Sequence, residues 1–245
     1  MVKSFGNIQF LVYNSNNKGK IYMGKIDRRF LTNIILTSVA LIGFLAIMIL
    51  VLCDYNFKID KFNVVVSNNR NGFWTGFFKI FTHLGSFYTL AVLAIVGVIL
   101  IWFIMKNKRM SVFYAGTFAI VCISNFVLKQ IVRRIRPEHL MIIEETGFSF
   151  PSGHAMMTFA FFALVIHFVW KTIKNKPLKI TLISVLSVVI ALIGFSRIYL
   201  GVHYLTDIIA GLLISYVIVS VCLMVYNTKW FKFLKDKGVK HEKEN

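Results

Sequence analysis

Within an otherwise apolar stretch, the segment SRIYLGVHYLTD (Ser196 to Asp207) carries an arginine, a histidine and an aspartate that could do chemistry together. Ionisable side chains in membrane-like surroundings are costly, and they point to function before structure. If the run from His203 onward is helical, His203 and Asp207 stand at i and i+4, so the carboxylate lies over the imidazole. That is a base with its orienter. Arg197 precedes His203 by six residues across Gly201, where the chain can turn and bring the guanidinium toward the same point. An oriented imidazole beside a cation suits an anionic substrate.

Two further polar clusters have the same flavour. Lys129 and Arg136, in KQIVRRIRP, supply a point charge and a planar fork, the two forms of cation suited to phosphate oxygens. Ser152 and Gly153, in FPSGH, open an apolar run where free backbone N–H groups of a helix start favour an anion. Gly153 has no side chain to block close approach, and His154 places a titratable group at the rim of that anion site. Preorganised donors around a phosphoryl group would stabilise the charge that develops during an in-line displacement.

These residues must be positioned by membrane helices. Hydrophobic residues make up 57% of the chain, charged residues only 16%, and the mean hydropathy is +0.71, too apolar for a soluble domain of 245 residues. Six apolar runs, about 31–53, 87–105, 111–128, 154–170, 180–198 and 206–226, each approach the length a bilayer demands of a helix. No barrel-like alternation is visible, so the expected fold class is all-α, a polytopic six-transmembrane-helix bundle. In that layout residues 1–30 and 227–245 are basic cytoplasmic tails and 31–226 is one membrane domain. The segment around Phe73, Trp74, Phe77, Phe78, Ile80 and Phe81 reads as a helix in the first outer loop, either interfacial with its aromatics at headgroup depth or, equally, packed against the bundle. Trp230, Phe231, Phe233 and Leu234, among lysines, read as a second contact with the cytoplasmic surface.

The net charge of +18 does not indicate nucleic acid, because the basic residues gather in short segments between apolar runs. Lys and Arg number six in the N-terminal tail, three and four in the second and fourth loops, and six in the C-terminal tail. Both termini are therefore expected in the cytoplasm, and all three polar clusters at the outer ends of helices, in the cell membrane. Cys53, Cys122 and Cys222 are odd in number and far apart, and indicate neither a disulfide nor a zinc site. No apolar signal segment precedes the first span, Arg28-Arg29 reads as positive-inside flanking, and Met23 is an alternative start. His83 reads as a turn-capping or interfacial residue, Arg133 and Arg134 as snorkelling arginines, and Glu144 and Glu145 as solvated loop acids.

Lys129 with Arg136-Pro137 spells K-x6-R-P, Pro151 to His154 spells P-S-G-H, and Ser196 to Asp207 spells S-R-x5-H-x3-D. Together they resemble the three-part signature of the type 2 phosphatidic acid phosphatase superfamily, relatives of the vanadium haloperoxidases and glucose-6-phosphatase. The match holds at every motif position and covers roughly residues 81–226. The resemblance implies a membrane-integrated hydrolase in which His203 attacks phosphorus and Asp207 holds its tautomer. His154 would then protonate the leaving oxygen and activate the water that hydrolyses a phosphohistidine. It further implies that Lys129, Arg136, Ser152, Gly153 and Arg197 bind the phosphoryl oxygens, with no metal and no cofactor. The implied substrates are lipid phosphates. The basic excess at the outer face favours a headgroup with several charges, so polyprenyl (undecaprenyl) diphosphate ranks narrowly before phosphatidylglycerol phosphate and phosphatidic acid. A non-enzymatic transporter or channel with an outer anion site is the alternative. It is disfavoured by the His–Asp pair and by the apparent lack of broken helices or inverted repeats. The sequence leaves the oligomeric state open.

Overall fold

Apolar runs of this length satisfy their backbone groups internally by coiling, and helices dominate the computed structural model, which describes residues 9–13, 21–25 and 28–227. Two short antiparallel strands, β1 (Gln9–Tyr13) and β2 (Ile21–Lys25), pair in the N-terminal tail, where the sequence reading places no element. The helical body follows as α1 (Arg28–Leu52), α2 (Phe62–Asn68), α3 (Gly72–Thr82), α4 (Phe87–Phe103), α5 (Lys108–Val132), α6 (Gly153–Thr172), α7 (Lys176–Tyr199) and α8 (Leu205–Asn227). The segment around Trp230 lies outside the described residues.

Five helices, α1 and α5 to α8, are each long and apolar enough to cross a bilayer. The chain is a multi-pass membrane protein, all-α in its membrane body. The remaining apolar run forms α4, which starts at Phe87 as read from sequence and meets the preceding 72–85 segment at 45°. The break falls at Ser86, which adopts an extended backbone and turns its hydroxyl to accept the Thr89 N–H, starting α4 afresh. Helices also run past the apolar limits read from sequence, because polar caps extend them. Asn107 accepts the Met110 N–H at the start of α5, and Asn175 accepts the Leu178 N–H at the start of α7.

α6 is the central helix, touching α4, α5, α7 and α8. Its approach to α8 is close because position 211 is glycine, where an added Cβ would lie 3.0 Å from the Ser152 carbonyl oxygen. Residues such as Ile42 on α1, Ile95 on α4 and Val188 on α7 stay exposed, the surface a lipid-facing bundle presents. α3 buries Phe78 against Tyr199 and Phe195 of α7, with ring centroids 4.7 and 5.4 Å apart, while Phe73 and Ile80 remain exposed. It packs on the bundle with one face and leaves the other free.

The buried polar side chains concentrate at the end of the bundle formed by the C-terminal ends of α5 and α7 and the N-terminal ends of α6 and α8. Gly201 turns the chain between α7 and α8 with φ +73°, and an added Cβ would lie 2.0 Å from the Leu140 carbonyl oxygen. This turn sets His203 over the site.

Candidate active site

α8 begins at Leu205, so His203 stands just ahead of the helix rather than within it. Asp207 lies in the first turn and accepts the Tyr204 N–H at 2.9 Å, the reach-back of an acid in a capping box. The expected direct imidazole–carboxylate bond is not formed: His203 Nδ1 and Asp207 Oδ2 are 3.5 Å apart. Ser149 stands between them, its Oγ donating to Asp207 Oδ2 and lying 3.3 Å from His203 Nδ1. With the hydroxyl proton spent on the carboxylate, Ser149 Oγ can only accept from the imidazole, which assigns the ring proton to Nδ1. His203 Nε2 is left with its lone pair, 3.3 Å from Arg136 Nη1. Asn63 fixes the backbone here, donating to the His203 carbonyl at 2.6 Å.

His203 and Asp207 are buried. Burial, followed by the positive charges of Arg136, Lys129 and Arg197, holds the His203 imidazole well below its ordinary value. It is therefore neutral at physiological pH, the protonation state a nucleophile needs.

Arg134 corrects the reading of it as a snorkelling anchor. Its Nη1 donates to Asp207 Oδ1 at 2.6 Å and to Thr206 Oγ1 at 2.8 Å, and its Nη2 donates to Asp60 Oδ2 at 2.8 Å. The guanidinium carbon lies 4.0 Å from the centre of the Tyr204 ring. Burial would lower its pKa, but the charge of Asp207 and the bonds to Asp60 and Asp207 outweigh it and raise the value. Asp60 also accepts the Thr206 N–H at 3.0 Å, tying the first loop to the start of α8. Arg133, by contrast, is exposed and left-handed at φ 51°, and among the described residues its side chain bonds only to the Gln130 carbonyl at the end of its own helix.

The three expected phosphate-binding cations converge, but the protein's own acceptors hold them. Lys129 Nζ donates to the Phe148 carbonyl. Arg136 gives Nε to the Gly147 carbonyl at 2.9 Å, Nη2 to the Thr146 carbonyl at 3.2 Å, and Nη1 to the Val202 carbonyl at 2.8 Å. Arg197 is fully buried, donates from Nη1 to Thr82 Oγ1 at 2.8 Å and pairs through Nη2 with Glu145 Oε1. Glu145 Oε2 lies 3.7 Å from Arg136 Nη2. Glu145 is thus no solvated loop acid: it joins two of the guanidinium groups.

Ser152 is buried and caps α6, accepting the Ala155 N–H at 3.4 Å, while its own N–H donates to the Asp207 carbonyl at 3.1 Å. The N–H groups of Gly153 and His154 keep no partner among the described residues. Gly153 is also required by packing, since a Cβ there would lie 3.0 Å from Asn125 Oδ1, and Asn125 itself holds the Pro151 carbonyl at 3.3 Å. His154 is half-buried, makes no hydrogen bond to a described residue, and interacts electrostatically with Arg197 and His203. His83 is exposed in the turn before α4. Sequence reasoning missed Asp60, Asn63, Arg134, Glu145 and Ser149; of these only Ser149 had a signal, its closeness to the Pro151–His154 motif.

The arrangement defines a class: a multi-pass membrane protein with a neutral, tethered histidine set among buried cations. Residues 110–231 match the model of the PAP2 superfamily, and by that match the chain belongs to that superfamily. Over 135 residues the chain is 33% identical to phosphatidylglycerophosphatase B of Bacillus subtilis, covering 53% of this chain and 64% of that protein. Over 118 residues it is 26% identical to an undecaprenyl-diphosphatase of Sulfolobus acidocaldarius, covering 45% of this chain and 52% of that one. The aligned stretch thus spans less than two thirds of each relative's length. The crystal structure of a transmembrane PAP2 type phosphatidylglycerolphosphate phosphatase from Bacillus subtilis superposes with a TM-score of 0.67 at 25% identity. That fit covers 76% of this chain and 94% of the other.

Proposed function

We propose that the protein is a lipid phosphatase that releases phosphate from a membrane-anchored phosphate monoester or diphosphate through a phosphohistidine at His203. The observation that carries the reading is the buried His203 ring, with Nε2 3.3 Å from Arg136 Nη1 and Nδ1 3.3 Å from a Ser149 hydroxyl that donates to Asp207, an arrangement that suits a neutral imidazole with its proton on Nδ1. In this reading Nε2 attacks phosphorus in line while Lys129, Arg136 and Arg197 neutralise the equatorial oxygens. The free N–H groups of Gly153 and His154 at the start of α6 add donors, and the Ser152 hydroxyl fixes that start. His154 gives a proton to the leaving oxygen and then takes one from the water that cleaves the phosphohistidine. The protein's cations do the neutralising, so the reading assigns no step to a metal. The names of the relatives support the substrate class, and the several cations favour a polyprenyl diphosphate or phosphatidylglycerol phosphate over a phosphodiester.

The site lies at one end of a lipid-facing bundle, so the phosphorus would stand at headgroup depth with its tail in the bilayer. Purified protein should then hydrolyse polyprenyl diphosphate, phosphatidylglycerol phosphate or phosphatidic acid with a far higher kcat/KM than water-soluble phosphate monoesters. Equal values would mean that the tail contributes no binding energy, and would overturn the lipid assignment. The distribution of Lys and Arg supports an extracytoplasmic site with both termini in the cytoplasm. A cysteine replacing Glu144 should react with an impermeant thiol reagent in intact cells and one replacing Asn175 should not; the reverse pattern would move the site to the cytoplasmic side.

A further inference from the structure

The phosphoryl cradle described above is filled by a side chain of the protein itself. Glu145 places one carboxylate oxygen on Arg197 and the other toward Arg136, bridging two guanidinium groups as phosphoryl oxygens would. The second acid of the cluster, Asp207, is already committed to Arg134, Ser149 and the Tyr204 N–H, so it does not compete for these cations. Arg197 is 1% exposed, and its Nε has no hydrogen-bond partner among the described residues, so the cradle is not saturated by Glu145 alone.

Glu145 is also placed to leave. Its side chain is 27% exposed, and it belongs to a stretch without regular structure between Leu140 and the start of α6. Gly147, two residues on, holds a left-handed backbone at φ +75°, and the stretch lines a cavity of about 860 Å³ that can receive a displaced side chain. We infer that Glu145 is a built-in competitor for the phosphoryl subsite, occupying Arg197 and Arg136 until a more highly charged anion displaces it. This inference rests on the phosphatase reading and deepens it, because it makes Glu145 a specificity determinant. A phosphomonoester or diphosphate brings more negative charge than the carboxylate it expels, whereas a phosphodiester brings only as much. The carboxylate therefore discriminates against diesters by holding the site closed to them.

The test is inorganic phosphate binding to the purified full-length chain in detergent, followed by titration calorimetry, together with KM for a phosphomonoester lipid. If the closed form holds about nine tenths of the molecules, Glu145→Gln should bind phosphate about tenfold tighter and lower KM in proportion. Glu145→Ala should behave alike, and Arg197→Met should abolish the gain in either background. Phosphate binding that depends on Arg197 but is equal or weaker in both Glu145 variants would overturn this inference and leave the phosphatase reading standing. Loss of the fold in both would also overturn it, since a tether the fold requires cannot be expelled in each turnover. Absence of phosphate binding in every variant, with no phosphate release from lipid by the wild type, would overturn the phosphatase reading and this inference with it.

Discussion

His203→Ala is expected to lower phosphate release from a lipid substrate by at least about a thousandfold, with expression, membrane insertion and melting temperature close to wild type. The size of the effect follows from the assigned step. A covalent nucleophile has no substitute in the site, because among the described residues the only other imidazole interacting with these cations, His154, stands on α6 and is assigned to the leaving oxygen. The fold should tolerate the change: the alanine keeps the backbone carbonyl that Asn63 holds, and the lost ring was neutral, so no buried charge is orphaned on Asp207 while Arg134 remains. A variant retaining a tenth of the wild-type rate would remove His203 from the role of nucleophile.

Arg134→Met is expected to cost about 3 kcal/mol of stability, because it leaves two carboxylates of low exposure, Asp207 and Asp60, without their shared cation. Chemical unfolding in detergent would measure it. Turnover should fall as well, since Asp207 holds the tautomer of His203 through Ser149 and would lose its fixed orientation. Arg134→Lys should not restore both bonds, as one ammonium cannot reproduce the fork that reaches Asp207 and Asp60 from separate nitrogens. Arg133→Met serves as the control and should change stability by no more than about 0.5 kcal/mol. Equal behaviour of the two variants would mean that Arg134 is the surface anchor its position at a helix end suggests.

The contrast between these neighbouring arginines shows what sequence can and cannot carry. Lys129, Arg136, Ser152, His154, Arg197, His203 and Asp207 were legible because each stands near the end of an apolar run, and helix ends at one side of a bilayer must meet. Arg134 was misread because a cation at a helix end already has a generic explanation, and nothing local distinguishes it from Arg133. The difference lies in Asp60, 74 residues earlier in the chain, whose approach depends on how the first loop folds over the bundle. Asn63 is further still, 140 residues from His203. The direct His203–Asp207 bond was expected from helical spacing, and it failed because α8 starts two residues after His203 and Ser149 fills the gap. Glu145 was read as a loop acid since loops are commonly wet, but this loop folds back over the cations.

The most direct measurement follows the phosphoryl group itself. Purified wild-type protein in chelator is mixed with a lipid phosphate labelled with ³²P at the terminal phosphate, quenched in base within milliseconds, digested and sequenced by mass spectrometry. The account predicts a transient, acid-labile label on the peptide bearing His203, rising before labelled inorganic phosphate and absent from His203→Ala. Release of inorganic phosphate with no label on the protein, label on another residue, or no release at all would contradict it.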